Sequence, residues 1–223
     1  MLSTKVGRLL VPDPGGKNLR DVEGNFDVPA VTRRQFDFSA DGVRRSIEES
    51  LERLGLDRID IAYLHDPDDH GPQAIDEALP AEFIRRHDID LVMLAGRYTL
   101  LDQSSLADLM PLATVRGVGI VIAGVYNSGL LEKPRPASDA KYDYEAAPVQ
   151  LLNRANAIAD VCERFGVTLP DAAIVFALRH PAVVSVVVGA RTAQQVQGSV
   201  DRYRTDVPEA LWDALRAAGL IHG

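Results

Sequence analysis

Cysteine is nearly missing. Cys162 stands alone among 223 residues, which excludes an internal disulfide framework. It falls in a helical pattern, where a lone thiol reads as a small core residue rather than a nucleophile. Long apolar runs are missing too: none approaches the ~18 residues that a membrane span requires, and no signal-peptide pattern is visible. A cytoplasmic protein with no membrane partner is therefore expected. Concentrated positive charge is the third absence. The net charge is −8, and Arg33-Arg34, Arg44-Arg45 and Arg85-Arg86 are short pairs that read as solvated faces. Phosphate backbones need clustered Lys and Arg, so no nucleic-acid partner is expected.

What is there fits one ordinary domain spanning 1–223, 46% hydrophobic and 25% charged, long enough to bury a large core. Four short runs rich in Val and Ile read as buried strands: Ile59–Leu64, Leu91–Ala95, Val118–Ala123 and Val183–Val188, with Leu2–Val6 a weaker fifth. Runs apolar on both faces predict a parallel sheet covered by helices. Helical patterns lie between them. In "SADGVRRSIEESLERLGL" Ser39 is the expected N-cap, Val43, Ile47, Leu51 and Leu54 form an apolar stripe, and Gly55 is the stop. "APVQLLNRANAIADVCERFGV" repeats the design with Gly166 as its stop, and "LPDAAIVFALRH" is apolar enough to be mostly buried. Alternation of strand and helix leaves two architectures, a barrel or a doubly wound sheet. Residues 11–38, with the proline- and glycine-rich "VPDPGG", and 132–149, "EKPRPASDAKYDYEAAPV", read as long surface loops. Such loops are either substrate lids or excursions without structure.

Active sites of parallel α/β folds collect at the C-terminal ends of strands. The residues there are Lys5 and Gly7, then His65-Asp66-Pro67, then Arg97-Tyr98, then "GVYNSGLL", then "GARTAQQ". Lys, His and Tyr at three strand ends, opposite two glycine-containing loops, form an active-site rim. Each residue also has a plain structural reading. Lys5 would be a solvent-facing lysine, His65 a capping or core histidine, Tyr98 a core aromatic, "GVYNSGLL" a simple turn and Arg191 a surface arginine.

His65, Asp66, Asp68, Asp69 and His70 offer enough donors for a cation. But Pro67 and Gly71-Pro72 mark an irregular loop, and neither H-x-H nor H-E-x-x-H spacing occurs. The aspartates read better as turn-formers, and no metal site is expected.

"LSTKVGR", "SIEESLERLGLDRIDIAYLHDPD", "VMLAGRYTLLDQ" and "VVVGARTAQQV", in this order, closely resemble the aldo-keto reductases, and among them the bacterial sugar dehydrogenases. The resemblance covers most of the chain. It implies a (β/α)8 barrel that binds a nicotinamide cofactor without a Rossmann fold, and the absence of G-x-G-x-x-G agrees. The family works with a tetrad of Asp, Tyr, Lys and His. Tyr is the general acid or base, Lys lowers its pKa, and His orients the carbonyl. By resemblance Lys5 is the tetrad lysine and His65 the tetrad histidine. Tyr98 matches the ring that stacks on nicotinamide. Ser128, Gly129 and Leu130 match the loop that meets the pyrophosphate, and Gly189, Arg191 and Gln195 the loop that meets the adenosine half. An arginine there suits a 2′-phosphate, which favours NADP, with NAD the alternative.

The departures are as specific. The family pattern has two further β/α units before the lysine strand, carrying the tetrad Asp and Tyr, and neither has a counterpart here. After "AIDEALP" a further strand and its loop have no counterpart, so about five of eight barrel strands are recognisable. Gly198-Ser199 stand where the family often has Glu-Asn. A barrel lacking strands exposes apolar edges, which leaves oligomerisation open. Three functions follow. The leading one is an NAD(P)-dependent oxidoreductase acting on an aldose or small aldehyde or alcohol. The others are a catalytically dead remnant that only binds dinucleotide, and a metal-dependent barrel hydrolase centred on His65 to His70.

Overall fold

A computed structural model of the chain describes residues 2–21, 26–65, 79–86, 88–143 and 145–222. The chain forms two compact units, 1–76 and 77–223.

The first unit opens with β1 (Ser3–Val6), followed by β2 (Arg8–Pro12), β3 (Arg20–Asp21), β4 (Phe26–Pro29) and β5 (Thr32–Phe36). Helix α1 (Ala40–Leu54) and β6 (Ile61–Leu64) complete it. β1 and β6 pair in parallel, as the expected β/α/β order requires. Residues 11–38 are not the plain surface loop that their proline and glycine content suggests. β2 pairs antiparallel with β5, and β3 with β4, so the segment is a folded ribbon. "TRRQF" is a short, polar strand whose β character comes from its partner rather than from an apolar run. Arg34 and Asp21 close a two-pronged ion pair across the ribbon, with N–O distances of 2.7 and 2.6 Å.

Helix α1 begins and ends where its caps predict. Ser39 Oγ accepts from the Gly42 amide at 3.1 Å, and Gly55 ends the helix in the left-handed region at φ 65°. Its buried face is a surprise. Gly42, Ser46 and Ser50 are the buried residues, at i, i+4 and i+8, while Leu54 of the apolar stripe is 53% exposed. Small side chains let the helix backbone lie close to β1 and β2. Ser50 Oγ satisfies itself by donating to the Ser46 carbonyl at 2.7 Å.

The second unit carries α2 (Leu79–Arg86), β7 (Leu91–Ala95), α3 (Leu109–Arg116), β8 (Gly119–Ala123), and the short pair β9 (Lys141–Tyr142) and β10 (Glu145–Ala146). After these come α4 (Val149–Arg164), α5 (Leu169–Ala177), β11 (Val183–Val187), α6 (Ala193–Tyr203) and α7 (Glu209–Ala217). β7, β8 and β11 form one parallel sheet with β8 in the middle. Thus all five strands expected from the apolar runs are present and all pair in parallel. Residues 132–149 contain the small β9–β10 hairpin, so they too are more than a bare loop.

The core of this unit is built on β8, α4, α5 and α7. Ile120, Ile122, Ile158, Leu211 and Trp212 are fully buried. α5 is buried nearly throughout, as its composition predicts, and starts at a capping box of Thr168 and Asp171. Burial on both strand faces holds for β8 but not for its neighbours. Met93 on β7 and Val184 and Val187 on β11 are 42%, 61% and 47% exposed. The described residues of the unit cover one face of these two strands and leave the other open. Among the described residues no helix is long and apolar enough to cross a membrane.

Candidate active site

The register of β1 and β6 puts Lys5 and His65 on one face of the strand pair. Lys5 is the direct partner of Tyr63, and the His65 amide donates to the Val6 carbonyl at 3.0 Å. Side chains of paired residues share a face of a sheet, and so do residues two apart on one strand. Lys5, Tyr63 and His65 therefore lie on the same face, at the C-terminal end of the strand pair. His65 is buried at 6% exposure, whereas Lys5 is exposed. Gly7 makes the turn that follows Lys5. Its φ is +87°, and a Cβ there would stand 2.6 Å from the Phe38 ring, so neither the conformation nor the space admits a side chain. Asp37 donates its amide to the Gly7 carbonyl at 2.9 Å, tying the foot of the ribbon to this turn. Asp66, Asp68, Asp69 and His70, the other donors of the candidate cation cluster, lie outside the described residues.

The remaining predicted residues belong to the second unit. Gly96, Gly124 and Gly129 all adopt positive φ at the ends of β7 and β8. Between the last two, Asn127 and Ser128 are also left-handed, at φ 45° and 58°. Two successive non-glycine residues in this region are uncommon and mark a turn held by its surroundings. The turn closes on itself through the Gly129, Leu130 and Leu131 amides, which donate to Tyr126, Asn127 and Tyr126 carbonyls. Leu130 is buried at 0% exposure, and its amide is engaged within the turn. Gly189, Arg191 and Gln195 are exposed beyond β11, the strand next to β8. The structure joins two of them: the Arg191 amide donates to Gln195 Oε1 at 2.7 Å, while Thr192 caps α6 by accepting from the Gln195 amide.

Tyr98 behaves as the core aromatic of its plain reading. It is 4% exposed, its ring lies 5.1 Å from that of Phe176 and meets His180 edge-on at 5.9 Å. Burial pushes its phenol above the usual range. The rest of "GRYTLLDQ" also folds inward. Thr99 Oγ1 accepts from the Leu101 and Asp102 amides, and Gln103 Nε2 donates to the Thr99 and Leu100 carbonyls.

Two features had only faint sequence signals. Asn127 is buried at 3% exposure, and neither its amide nitrogen nor its oxygen has a hydrogen-bond partner. The signal was the Asn-Ser-Gly turn itself, since Asn tolerates the left-handed region. Burial raises the Tyr126 phenol above its ordinary range despite the nearby Arg202, which donates to its hydroxyl.

With this arrangement in place, comparison with known proteins is specific. The aldo/keto reductase family profile matches residues 1–84 and 75–219. D-threo-aldose 1-dehydrogenase from Pseudomonas sp is 40% identical over 247 residues, an alignment covering 99% of this chain and 75% of that protein. Pyridoxal 4-dehydrogenase from Microbacterium luteolum is 35% identical over 261 residues, covering 99% and 76%. Among solved structures, the holo form of an aldo-keto reductase from Bacillus halodurans superposes with a TM-score of 0.62 at 23% identity, covering 82% of this chain and 68% of that one. The glycerol dehydrogenase of Gluconobacter oxydans gives 0.64 at 18% identity, covering 96% and 70%. The class is thus a parallel β/α oxidoreductase. The chain belongs to the aldo/keto reductase family, enzymes that use a nicotinamide cofactor on small carbonyl or sugar substrates. The family fold is the (β/α)8 barrel, of which the described residues carry five parallel strands.

Proposed function

We propose that this chain is an NADP-preferring dehydrogenase of an aldose or other small aldehyde or alcohol, with 1–223 acting as a single, cytoplasmic barrel domain. The observation that carries the reading is the shared face of Lys5 and His65 at the C-terminal end of β1 and β6. Residues of the second unit suit a dinucleotide. The left-handed turn at Asn127–Gly129, with its buried and unpartnered Asn127 amide, offers polar groups that a ligand can satisfy. Ser128, Gly129 and Leu130 would hold the pyrophosphate, and Gly189, Arg191 and Gln195 the adenosine half. The exposed Arg191 guanidinium offers the paired donors that favour a 2′-phosphate. Tyr98, enclosed among Phe176 and His180, stays in the proposal only as a wall of the site.

When bound, the nicotinamide supplies the acceptor or donor of the hydride. His65 holds the substrate oxygen by a hydrogen bond from its imidazole, fixing the carbon to be oxidised or reduced. Lys5 would place a positive charge near the substrate oxygen, stabilising the alkoxide left when that oxygen's proton passes to solvent water, and in reduction the proton would return from water. The aldose preference rests on the 40% identity to D-threo-aldose 1-dehydrogenase, and pyridoxal 4-dehydrogenase keeps a small aromatic aldehyde as the second substrate class.

The test is a fluorescence titration with NADPH beside an activity assay with L-fucose and NADP or NAD. Binding with turnover is the expected result. Binding without turnover would replace this reading by a dinucleotide-binding module, and failure to bind either cofactor would end both.

A further inference from the structure

Arg202 links the helix that follows the Gly189–Gln195 loop to Tyr126, the residue before the Asn127–Gly129 turn. It lies in the last turn of α6, the helix that starts just after Arg191 and carries Gln195 in its first turn. Its Nη1 donates to Tyr126 Oη at 3.3 Å, and its guanidinium carbon stands 5.9 Å from the centroid of the Tyr126 ring. Its Nε lies 3.8 Å from Asp171 Oδ1, at the capped start of α5. Tyr126 immediately precedes Asn127, Ser128 and Gly129. One side chain therefore contacts the residue at the root of the left-handed turn and a fixed point of the core helix α5.

The helix needs such a tether. No residue of α6 is buried, and its apolar side chains Val196, Val200 and Tyr203 are 53%, 36% and 62% exposed. An open cavity of about 280 Å³ lies beside this face, lined in part by Ile174, Val186, Val196 and Val200. Packing that loose does little to fix the helix, because dispersion and apolar burial both need close contact. A fork-shaped cation that donates to a ring hydroxyl, lies over its ring and has a carboxylate 3.8 Å away restrains the helix that carries it.

We propose that Arg202 is a positioning residue that sets the Asn127–Gly129 turn in register with the Gly189–Gln195 loop, so that a single dinucleotide can span both. The inference rests on the cofactor reading of those two loops. A ligand held at two points gains affinity when the points are already aligned, and loses that gain when they drift apart. The loss falls on the whole ligand and spares its halves.

The test uses the full chain with NADPH, with 2′,5′-ADP as the adenosine half and with nicotinamide mononucleotide as the other half. Dissociation constants and the melting midpoint are measured for wild type, Arg202→Met, Tyr126→Phe and the double variant. Arg202→Met should weaken NADPH roughly tenfold while changing 2′,5′-ADP less than about threefold, with a small shift in melting. The double variant should lose little more than Arg202→Met alone, because both changes remove one shared contact. Unchanged NADPH affinity in Arg202→Met overturns the inference and leaves the cofactor reading intact. Equal losses for NADPH and 2′,5′-ADP, together with a large drop in melting midpoint, also overturn it by reducing Arg202 to a structural residue. A wild-type chain that binds neither NADPH nor 2′,5′-ADP removes the cofactor reading itself, and the inference with it.

Discussion

Lys5 stands directly opposite Tyr63 in the parallel pairing of β1 with β6, and that register puts His65 on the face Lys5 uses. A shift of one residue would send the histidine to the other side of the sheet. The pairing is anchored at both ends. The Leu2 amide donates to Asp60 Oδ2 at 2.6 Å, and the His65 amide donates to the Val6 carbonyl at 3.0 Å.

The ribbon that follows Lys5 is held by Arg34 and Asp21, whose side chains are 11% and 14% exposed. Arg34→Met removes both prongs of that bond and is expected to destabilise the first unit by about 1.5–3 kcal/mol. Urea unfolding followed by circular dichroism measures this. Arg34→Lys keeps the charge but not the two-pronged geometry, and should recover only part of the loss.

Gln103 is expected to matter for stability rather than for chemistry. Its amide nitrogen donates to the Thr99 and Leu100 carbonyls at 2.9 and 3.1 Å, and its oxygen accepts from the His222 amide at 2.7 Å. Gln103→Leu strands three backbone groups, at a cost on the order of 2–3 kcal/mol. Amide exchange should accelerate most at His222, since the bond that holds the C-terminal segment there is lost.

Cys162 is fully buried, and burial pushes its thiol up to about 12. A raised thiol pKa keeps the sulfur protonated, so the nucleophilic thiolate is scarce at every ordinary pH. Alkylation of the native chain by iodoacetamide should be slow at pH 7 and remain slow at pH 9, where an exposed cysteine reacts readily. In urea the rate should rise to that of a free thiol. Fast native labelling at pH 9 would mean that the α4 core opens.

What could be read from the sequence divides along physical lines. The five parallel strands were legible because Val and Ile runs bounded by polar residues have few other solutions, and the α1 caps because Ser39 and Gly55 each do one job at one position. The ribbon was hidden because "TRRQF" has no apolar run and gains its structure by pairing with β2. The buried face of α1 was hidden for a related reason. Ser46 and Ser50 look like solvent residues until a sheet lies against them, and a hydroxyl that bonds its own helix carbonyl can be buried. Lys5 and His65 are read from the sequence as parts of one rim because each stands at the end of an apolar run. Their shared face is a property of register, which depends on two strands at once. Tyr98 stands at a strand end and packs on Phe176, a core contact that local reading of the sequence offers only as one of two alternatives.

The most direct test of the account is the turnover of Lys5→Met and His65→Ala with L-fucose and NADP, beside NADPH affinity and circular dichroism of each variant. The account predicts that each loses about 10²–10⁴-fold in turnover, with the fold retained and NADPH binding changed far less. Either variant turning over at close to the wild-type rate would contradict it.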